Sequence, residues 1–307
     1  MTAARKRPLK IGIMLPDTER ELAGKTARWA DLATMAKVAE DVGFDSLWVS
    51  DHLIFRFPEK EPQGIWECWS LLAALAAVTT RVEIGPLVSC TSFRNPALLA
   101  KMAATVDEIS GGRLILGLGA GWHAPEYQAF GYPFDHRVSR FEEALKIIHD
   151  LLRHGHVDFE GGAYHSARAC ELRPQGPRPD GIPIMIGSIA PKMLGLLVEY
   201  GDIWNAWGKN SPREIAEPRE IVDAACVAAG RDPKTLQRTV SVLVDLPGAA
   251  GRPRESGQML SGSSEELAET CRAYAREGIS HLQLVLDPNT PAGIEALAPV
   301  LEILDGG

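Results

Sequence analysis

Short runs of apolar and β-branched residues alternate with longer segments of helical period from one end of this sequence to the other. The runs begin with LKIGIMLP at 9–16 and SLWVS at 46–50, and a helical segment follows each of them. Six further runs lie at 81–89, 113–119, 183–187, 202–207, 239–244 and 281–286. This alternation is typical of a parallel sheet covered by helices, so the chain is predicted to have an α/β fold.

The number of strand–helix units favours one particular α/β architecture. Eight such units in 307 residues predict a (β/α)8 TIM barrel, with an open, doubly wound sheet as the alternative. No polar linker rich in Pro, Gly and Ser divides the chain, so we expect a single domain over residues 1–307. The alternation is interrupted after the fourth strand, and we interpret residues 154–182 as an insertion that contains a small hairpin at 157–166.

One long segment late in the chain has the composition of a loop. Residues 245–264 are rich in Gly, Pro, Arg and Ser, and a loop of this kind on the catalytic face of a barrel is a candidate lid. Arg252 and Arg254 within it would meet an anionic ligand or be solvated.

Composition excludes several classes of protein. With 40 acidic and 32 basic side chains, the formal net charge is −8, which argues against a nucleic-acid-binding protein. The most apolar stretch, Leu71 to Val78, is too short to span a membrane. The basic start MTAARKR is not followed by the apolar segment of a signal peptide. We therefore expect a cytoplasmic protein with no nucleic-acid partner and no membrane contact.

Cysteine and histidine spacing predicts no metal site. The five cysteines are odd in number, far apart and never in a C-x-x-C pair, which fits a reducing compartment. His149, His154 and His156 cluster in sequence, but no carboxylate or cysteine spacing completes a metal site around them.

In a barrel, the catalytic side chains follow the carboxyl ends of the strands. Ser50-Asp51-His52 ends the second strand, so an acid and an imidazole lie together on that face, where Asp51 would orient His52 for proton exchange. A hydrogen-bonded pair of purely structural importance is the alternative interpretation.

Small residues end the third, fourth and fifth strands and suit a flat cofactor. Val88, Ser89 and Cys90 end the third strand; no activating base is evident for Cys90, so a place in the cofactor wall fits it better than a nucleophilic role. Gly119, Ala120 and Gly121 end the fourth strand, where Trp122 replaces the third glycine of a dinucleotide fingerprint.

The fifth strand is followed by a candidate phosphate site. Gly187, Ser188 and Ile189 precede a helix that starts near Pro191, where free backbone N–H groups suit a phosphate and Lys192 adds charge. An ordinary capped helix is the alternative.

Four segments together resemble one enzyme superfamily over nearly the whole chain. They are SDHL at 50–53, ECWSLLAALAAVTTRVEIG at 67–85, FRNPALLAKMAATVDEISGGRLILGLGAGW at 93–122 and PIMIG at 183–187. The chain is similar to the bacterial luciferase-like flavin superfamily, and the third segment, followed by EYQAFGYPF, most resembles the branch that uses the deazaflavin coenzyme F420. This resemblance implies a barrel with an insertion near its middle, often found as a homodimer.

The resemblance also implies where a cofactor would lie. Asp51 and His52 would face the flavin or deazaflavin ring, and Val88 to Cys90 would support it through a bulge or a non-proline cis peptide. Gly119 to Gly121 would pass beside the ring or its ribityl chain. Gly187 and Ser188, with Ile189 next to them, would hold the phosphate.

Two positions depart from the deazaflavin sugar-phosphate dehydrogenases that this superfamily contains. Trp122 and Arg56 stand where those enzymes have a catalytic glutamate and a tryptophan, so His123 and Glu126 are the candidates for an alternative acid or base. The apolar side chains predicted to contact the substrate are Phe55, Trp66 and Trp122.

The expected activity is hydride transfer between C5 of F420 and a small organic substrate. The alternative is an FMN-dependent monooxygenase that uses reduced flavin and oxygen at the same site. A non-enzymatic carrier of the cofactor is the third hypothesis.

Overall fold

The computed structural model describes residues 7–247 and 259–306. The strands are β1 (Lys10–Met14), β2 (Ser46–Val49), β3 (Ile54–Phe55), β4 (Gln63–Gly64), β5 (Glu83–Pro86), β6 (Ser89–Cys90), β7 (Leu116–Gly119), β8 (His156–Phe159), β9 (Ala167–Glu171), β10 (Ile184–Gly187), β11 (Ile203–Trp207), β12 (Gln237–Asp245) and β13 (His281–Asp287). The helices are α1 (Trp29–Val42), α2 (Cys68–Val78), α3 (Pro96–Ser110), α4 (Ala124–Phe130), α5 (Arg137–His154), α6 (Pro191–Tyr200), α7 (Ala216–Ala228), α8 (Ser264–Arg276), α9 (Pro291–Glu295) and α10 (Ala298–Gly306).

The chain divides into two compact units, each built of parallel strands and helices. Unit 1 consists of the residues up to Trp48 and those from Ile203 onwards. Its strands pair in the order β2-β1-β13-β12-β11, all parallel. Ile13 pairs with Leu284 on one side and with Leu47 on the other, and all three are buried. Helix α1 packs against α9, and α8 against α10.

The interior of unit 1 contains a buried histidine among hydrogen-bonding side chains. Nε2 of His281 lies 2.7 Å from Ser46 Oγ, and Trp48 Nε1 donates to the same oxygen at 2.7 Å. Burial lowers the pKa of His281 to about 3. The imidazole is therefore held neutral in the folded protein.

We expect His281 to make the protein sensitive to acid. The unfolded chain protonates this imidazole below about pH 6.5 and the folded chain does so only near pH 3. The unfolded state thus binds more protons in between, and the group destabilises the fold by about 1.4 kcal/mol for each unit of falling pH. Urea unfolding between pH 7 and pH 4 should show a steeper loss of stability for the native chain than for His281→Gln. Equal slopes would contradict this account; His156→Gln, at an exposed histidine, is the control.

Unit 2 runs from Val49 to Asp202 and contains the segments that the sequence marks as functional. Parallel strands pair in the order β10-β7-β6, and Ile84 on β5 forms an isolated parallel bridge with Leu114, two residues before β7. Helix α3 packs against both α2 and α5, and α5 against α6. Asn95 caps α3 by accepting from Ala97 and Leu98 N–H groups, and Pro96 occupies the first helical position, where the missing N–H of proline is tolerated.

Each predicted barrel strand is present, and the differences lie in the details. The third strand is divided into β5 and β6, with a cis peptide between Leu87 and Val88, which confirms the predicted bulge or cis peptide. The hairpin β3–β4 and the short helix α4 were not predicted, because elements of two to seven residues are too short for a periodic signal.

The insertion and the C-terminal region also differ slightly from expectation. The insertion contains the predicted hairpin, but its second strand lies at Ala167–Glu171, beyond the predicted range 157–166. The last of the eight predicted strand–helix units ends in two helices, α9 and α10, where one was expected. The prediction of one domain over the whole chain stays a prediction.

The candidate lid lies largely outside the described residues. Residues 248–258, which include Arg252 and Arg254, are not among them. The two described ends of the segment lie together, since Asp245 N–H donates to Leu260 O at 2.8 Å. Within residues 7–247 and 259–306, no helix has the length and apolarity needed to cross a membrane.

Candidate active site

Adjacent strands of unit 2 bring the three predicted cofactor segments together. Cys90 on β6 pairs with Gly119 on β7, and Ile186 on β10 pairs with Leu118. Because parallel strands end at the same edge, Val88 to Cys90, Gly119 to Gly121 and Gly187 to Ile189 follow one another along it.

Asp51 is the centre of a buried network below this edge. Ser89 Oγ and Cys90 N–H donate to Asp51 Oδ2 at 2.8 and 2.9 Å. The Arg94 guanidinium binds both carboxylate oxygens, at 2.7 and 3.0 Å. Asp51 is almost fully buried. Through these hydrogen bonds its carboxylate holds the β6 end of the site in place, and it does not contact His52. The prediction that Asp51 orients His52 is therefore wrong.

Arg94 is the residue of this network that sequence reasoning missed. It links Asp51 to Glu67, whose carboxylate accepts from Arg94 Nη2 at 2.7 Å and also caps α2. Burial alone would lower the pKa of Arg94, but the two carboxylates raise it above its ordinary value. A single arginine before a helix N-cap carries no periodic signal, and only the quoted FRNP segment pointed to this place.

His52 is oriented by Glu126 instead of Asp51. His52 Nδ1 lies 2.9 Å from Glu126 Oε1, and Leu53 N–H donates to Glu126 Oε2 at 2.9 Å. The Glu126 side chain is only 1% exposed, against 18% for His52. Because a carboxylate accepts, Nδ1 carries the proton in this contact and Nε2 is left for other partners. His52 and Glu126, two of the four predicted catalytic residues, therefore form one imidazole–carboxylate pair.

His123 is buried and has a structural contact. Its Nε2 accepts from Arg56 N–H at 3.0 Å, which ties the β3–β4 hairpin to the start of α4. Burial lowers the pKa of His123. A neutral imidazole whose Nε2 is already bonded is poorly suited to the predicted role of acid or base.

Cys90 lines the predicted cofactor site. Its Sγ lies 3.0 Å from Tyr127 Oη, which donates to Ala120 O at 3.0 Å. Gly121 has φ +76°, and a Cβ there would overlap the Tyr127 hydroxyl, so only glycine lets the two segments approach. Burial raises the pKa of Cys90 to about 11, in agreement with the prediction that this thiol is not a nucleophile.

We expect Cys90 to resist alkylation. With a pKa of about 11, about one thiol in a thousand is ionised at pH 8. Iodoacetamide treatment at pH 8 followed by peptide mass mapping should modify Cys170, which is half-buried on the β8–β9 hairpin, well before Cys90. Faster modification of Cys90 would contradict this assignment.

Three rings next to His52 form a surface that we call the aromatic wall: Phe55, Phe57 and Trp122. Neighbouring rings lie 5.8 to 6.3 Å apart, centre to centre, with 27° to 34° between their planes. The His52 ring packs at 4.6 Å from Phe55 and 5.6 Å from Trp122. The wall thus contains two of the predicted substrate residues and adds Phe57. Trp66, the third, is exposed between β4 and α2, and its substrate role stays a prediction.

The predicted phosphate site lies at the start of α6. Ala190 is the N-cap and provides no side-chain cap, and its own N–H donates to Ser188 Oγ at 3.0 Å. The first backbone N–H groups of the helix are the donors that a phosphate uses. Lys192 instead contacts Glu142 on α5 at 2.8 Å, so its charge is already paired.

A carboxylate does approach the histidines at the end of α5, contrary to the sequence expectation. Donor atoms of His149, Asp150 and His154 all lie within 4.8 Å of one another and could hold a metal ion. Asp150 follows His149 directly in the sequence, so the carboxylate comes from the same helix as the two histidines. The group lies on α5 and none of its side chains contacts the His52–Glu126 pair, so we assign it no part in the reaction.

Parallel strands that alternate with helices, and an imidazole–carboxylate pair after their carboxyl ends, are the arrangement of a barrel enzyme. The comparison with protein families identifies which kind. Residues 9–246 match the luciferase-like monooxygenase family, and the chain belongs to that family. It is accordingly an enzyme of the luciferase-like family, which contains oxidoreductases and monooxygenases.

Similar proteins of known activity include both deazaflavin and flavin enzymes. An F420-dependent glucose-6-phosphate dehydrogenase of Amycolatopsis mediterranei is 36% identical over 90% of this chain and 86% of its own length. A 5,10-methylenetetrahydromethanopterin reductase of Archaeoglobus fulgidus is 34% identical over 66% of this chain. The pyrimidine monooxygenase RutA of Cronobacter sakazakii is 30% identical over 74% of this chain and 69% of its own length. The match spans only 57% of the Archaeoglobus reductase.

A solved structure supports the fold. An F420-dependent secondary alcohol dehydrogenase in complex with an F420-acetone adduct superposes with a TM-score of 0.79, at 22% identity, over 95% of this chain and 98% of that one. At this identity the likeness concerns the fold, and it confirms the predicted α/β barrel.

Proposed function

We propose that the protein transfers a hydride between coenzyme F420 and a small organic substrate. The observation that carries this proposal is the His52–Glu126 pair, placed beside an exposed aromatic wall and after the second barrel strand. A proton donor next to an apolar surface suits an acceptor that must gain a hydride and a proton together. The F420-dependent relative that matches 90% of the chain supports the choice of cofactor.

The residues at the strand ends fit a flat cofactor with a phosphate. The start of α6 has backbone donors and no side-chain cap, so Gly187, Ser188 and Ile189 would hold the phosphate. Val88, Ser89 and Cys90 would support the ring, and Gly119, Ala120 and Gly121 would lie along it. Reduced F420, when bound, supplies the hydride from its C5 carbon.

The protein's own groups would orient the substrate and deliver the proton. With Nδ1–H bonded to Glu126, the imidazolium form of His52 can present Nε2–H to the acceptor and give up that proton as the hydride arrives, which leaves the neutral imidazole. The buried Glu126 carboxylate holds the imidazole ring in one orientation. Glu126 is thus a positioning residue in this proposal, and Asp51 acts indirectly by holding Ser89 and Cys90.

An FMN-dependent monooxygenase is the second candidate. The similarity to the pyrimidine monooxygenase RutA over 74% of the chain favours it. The same strand ends and the same phosphate donors would serve FMN. His52 would then act on a substrate that receives an oxygen atom.

The proposal is tested by turnover under argon and in air. Protein is mixed with reduced F420 and a panel of aldehydes, ketones and enones, and cofactor absorbance and products are followed. Oxidation of F420 at the same rate under argon and in air, with two hydrogens added to one acceptor class, supports the proposal. Turnover only with reduced FMN, and with oxygen consumed, would replace it by the monooxygenase.

We further propose a cytoplasmic homodimer in which the chain forms one domain. These three proposals rest on the family resemblance and on the cysteine spacing, which fits a reducing compartment.

A further inference from the structure

We infer that the aromatic wall binds a planar, uncharged, conjugated molecule, and that the substrate belongs to this class. The inference rests on the proposed function in one respect: it takes the surface beside His52 as the place where the acceptor lies. The evidence for it comes from the shape, exposure and charge of the wall itself.

The wall presents unusually large aromatic surfaces to the outside of unit 2. The side chains of Trp122 and Phe57 are 56% and 40% exposed, although burying such rings is strongly favourable. Phe57 lies at 27° to both Phe55 and Trp122, so the three rings have similar orientations. A flat molecule can stack on rings arranged in this way, whereas a puckered sugar would leave most of their surface in water.

Charge around the wall disfavours an anionic occupant. The buried Glu126 carboxylate lies 2.9 Å from His52 Nδ1, so a positive charge on that imidazole is already paired and offers little attraction to a phosphate or carboxylate. The ammonium of Lys60 lies 5.7 Å from the centre of the Phe57 ring, where it is engaged with the aromatic face. An uncharged molecule therefore has the smallest desolvation cost when it moves from water to this surface.

Trp122 offers an indole stacking surface and one N–H donor, but no acid–base group. Its large exposed ring favours a substrate bound by stacking.

Calorimetric titration of the F420-loaded protein tests the inference. The probes are 2-acetylnaphthalene, which is planar, conjugated and uncharged, cyclohexyl methyl ketone, which carries the same ketone on a puckered ring, and glucose 6-phosphate. We expect 2-acetylnaphthalene to bind at least about tenfold more tightly than either other probe, which corresponds to the upper range of measured stacking energies. Stronger binding of glucose 6-phosphate, or equal binding of the two ketones, would overturn the inference.

Variants connect the binding to the wall. Trp122→Ala should weaken 2-acetylnaphthalene binding about tenfold, and Trp122→Phe should restore most of it, while F420 affinity is unchanged. Phe130→Ala, at a ring that is 54% exposed at the end of α4, is the matched control and should bind like the native protein. Undiminished binding by Trp122→Ala would overturn the assignment to the wall.

The same titrations separate this inference from the proposed function. If F420 fails to bind but the apoprotein binds 2-acetylnaphthalene through Trp122, the wall assignment stands and the proposed cofactor is wrong. If F420 binds and 2-acetylnaphthalene does not, the substrate class is wrong and the proposed cofactor stands.

Discussion

Replacing His52 with glutamine should lower turnover with reduced F420 by about 10² to 10⁴-fold, the usual contribution of a positioned acid or base. Glutamine keeps a donor near Glu126 but cannot deliver a proton. F420 affinity should change little, because the proposed ring and phosphate contacts lie on β6, β7 and the start of α6. Steady-state kinetics and a cofactor titration on the same preparation measure both effects.

Two control variants test whether the effect belongs to the His52 imidazole. Glu126→Gln should lower kcat less than His52→Gln, with little change in KM, because it weakens the contact that orients the imidazole while leaving the imidazole in place. His156→Gln, at an exposed histidine on β8, should leave turnover unchanged. If His52→Gln retains native turnover, the imidazole has no part in proton delivery and the mechanism proposed for the site is wrong.

Replacing Arg94 with methionine should lower the free energy of unfolding by about 3 to 5 kcal/mol, the usual loss when one partner of a buried ion pair is removed. The side chains of Arg94 and Asp51 are 10% and 1% exposed. Methionine fills part of the space but leaves the Asp51 carboxylate with only Ser89 and Cys90 as donors. Urea denaturation followed by circular dichroism measures the change.

An exposed ion pair provides the comparison for Arg94. Arg168 contacts Glu160 at 2.9 Å, but its side chain is 77% exposed, and removing such a pair costs about 0.2 to 1 kcal/mol. Arg168→Met should therefore have a much smaller effect than Arg94→Met. Similar effects of the two substitutions would show that burial of Asp51 is not what makes the Arg94 contact important.

The sequence predicts the main strands and helices well because each has a periodic apolar pattern. The apolar run at 183–187, for example, forms strand β10 at Ile184–Gly187. The break between β5 and β6 could be expected only from the family resemblance, since Leu87 and Val88 continue the apolar run. Short elements such as α4 depend on contacts distant in sequence, which periodicity does not report.

The site was predicted less completely than the fold, and for a physical reason. His52 and Glu126 are 74 residues apart, so their pairing depends on how α4 packs against the β3–β4 hairpin. Asp51 and His52 are neighbours in the chain, but the Asp51 carboxylate binds Arg94 and the His52 imidazole binds Glu126. Arg94 and Phe57 entered the site only through tertiary contacts.

A paired fluorescence titration with F420 and with FMN, at matched ionic strength, tests the central claim most directly. The account predicts tight binding of F420 and weak binding of FMN. Tight binding of FMN alone would contradict the claim of deazaflavin-dependent hydride transfer and favour the monooxygenase, and binding of neither would contradict the cofactor site assigned to β6, β7 and α6.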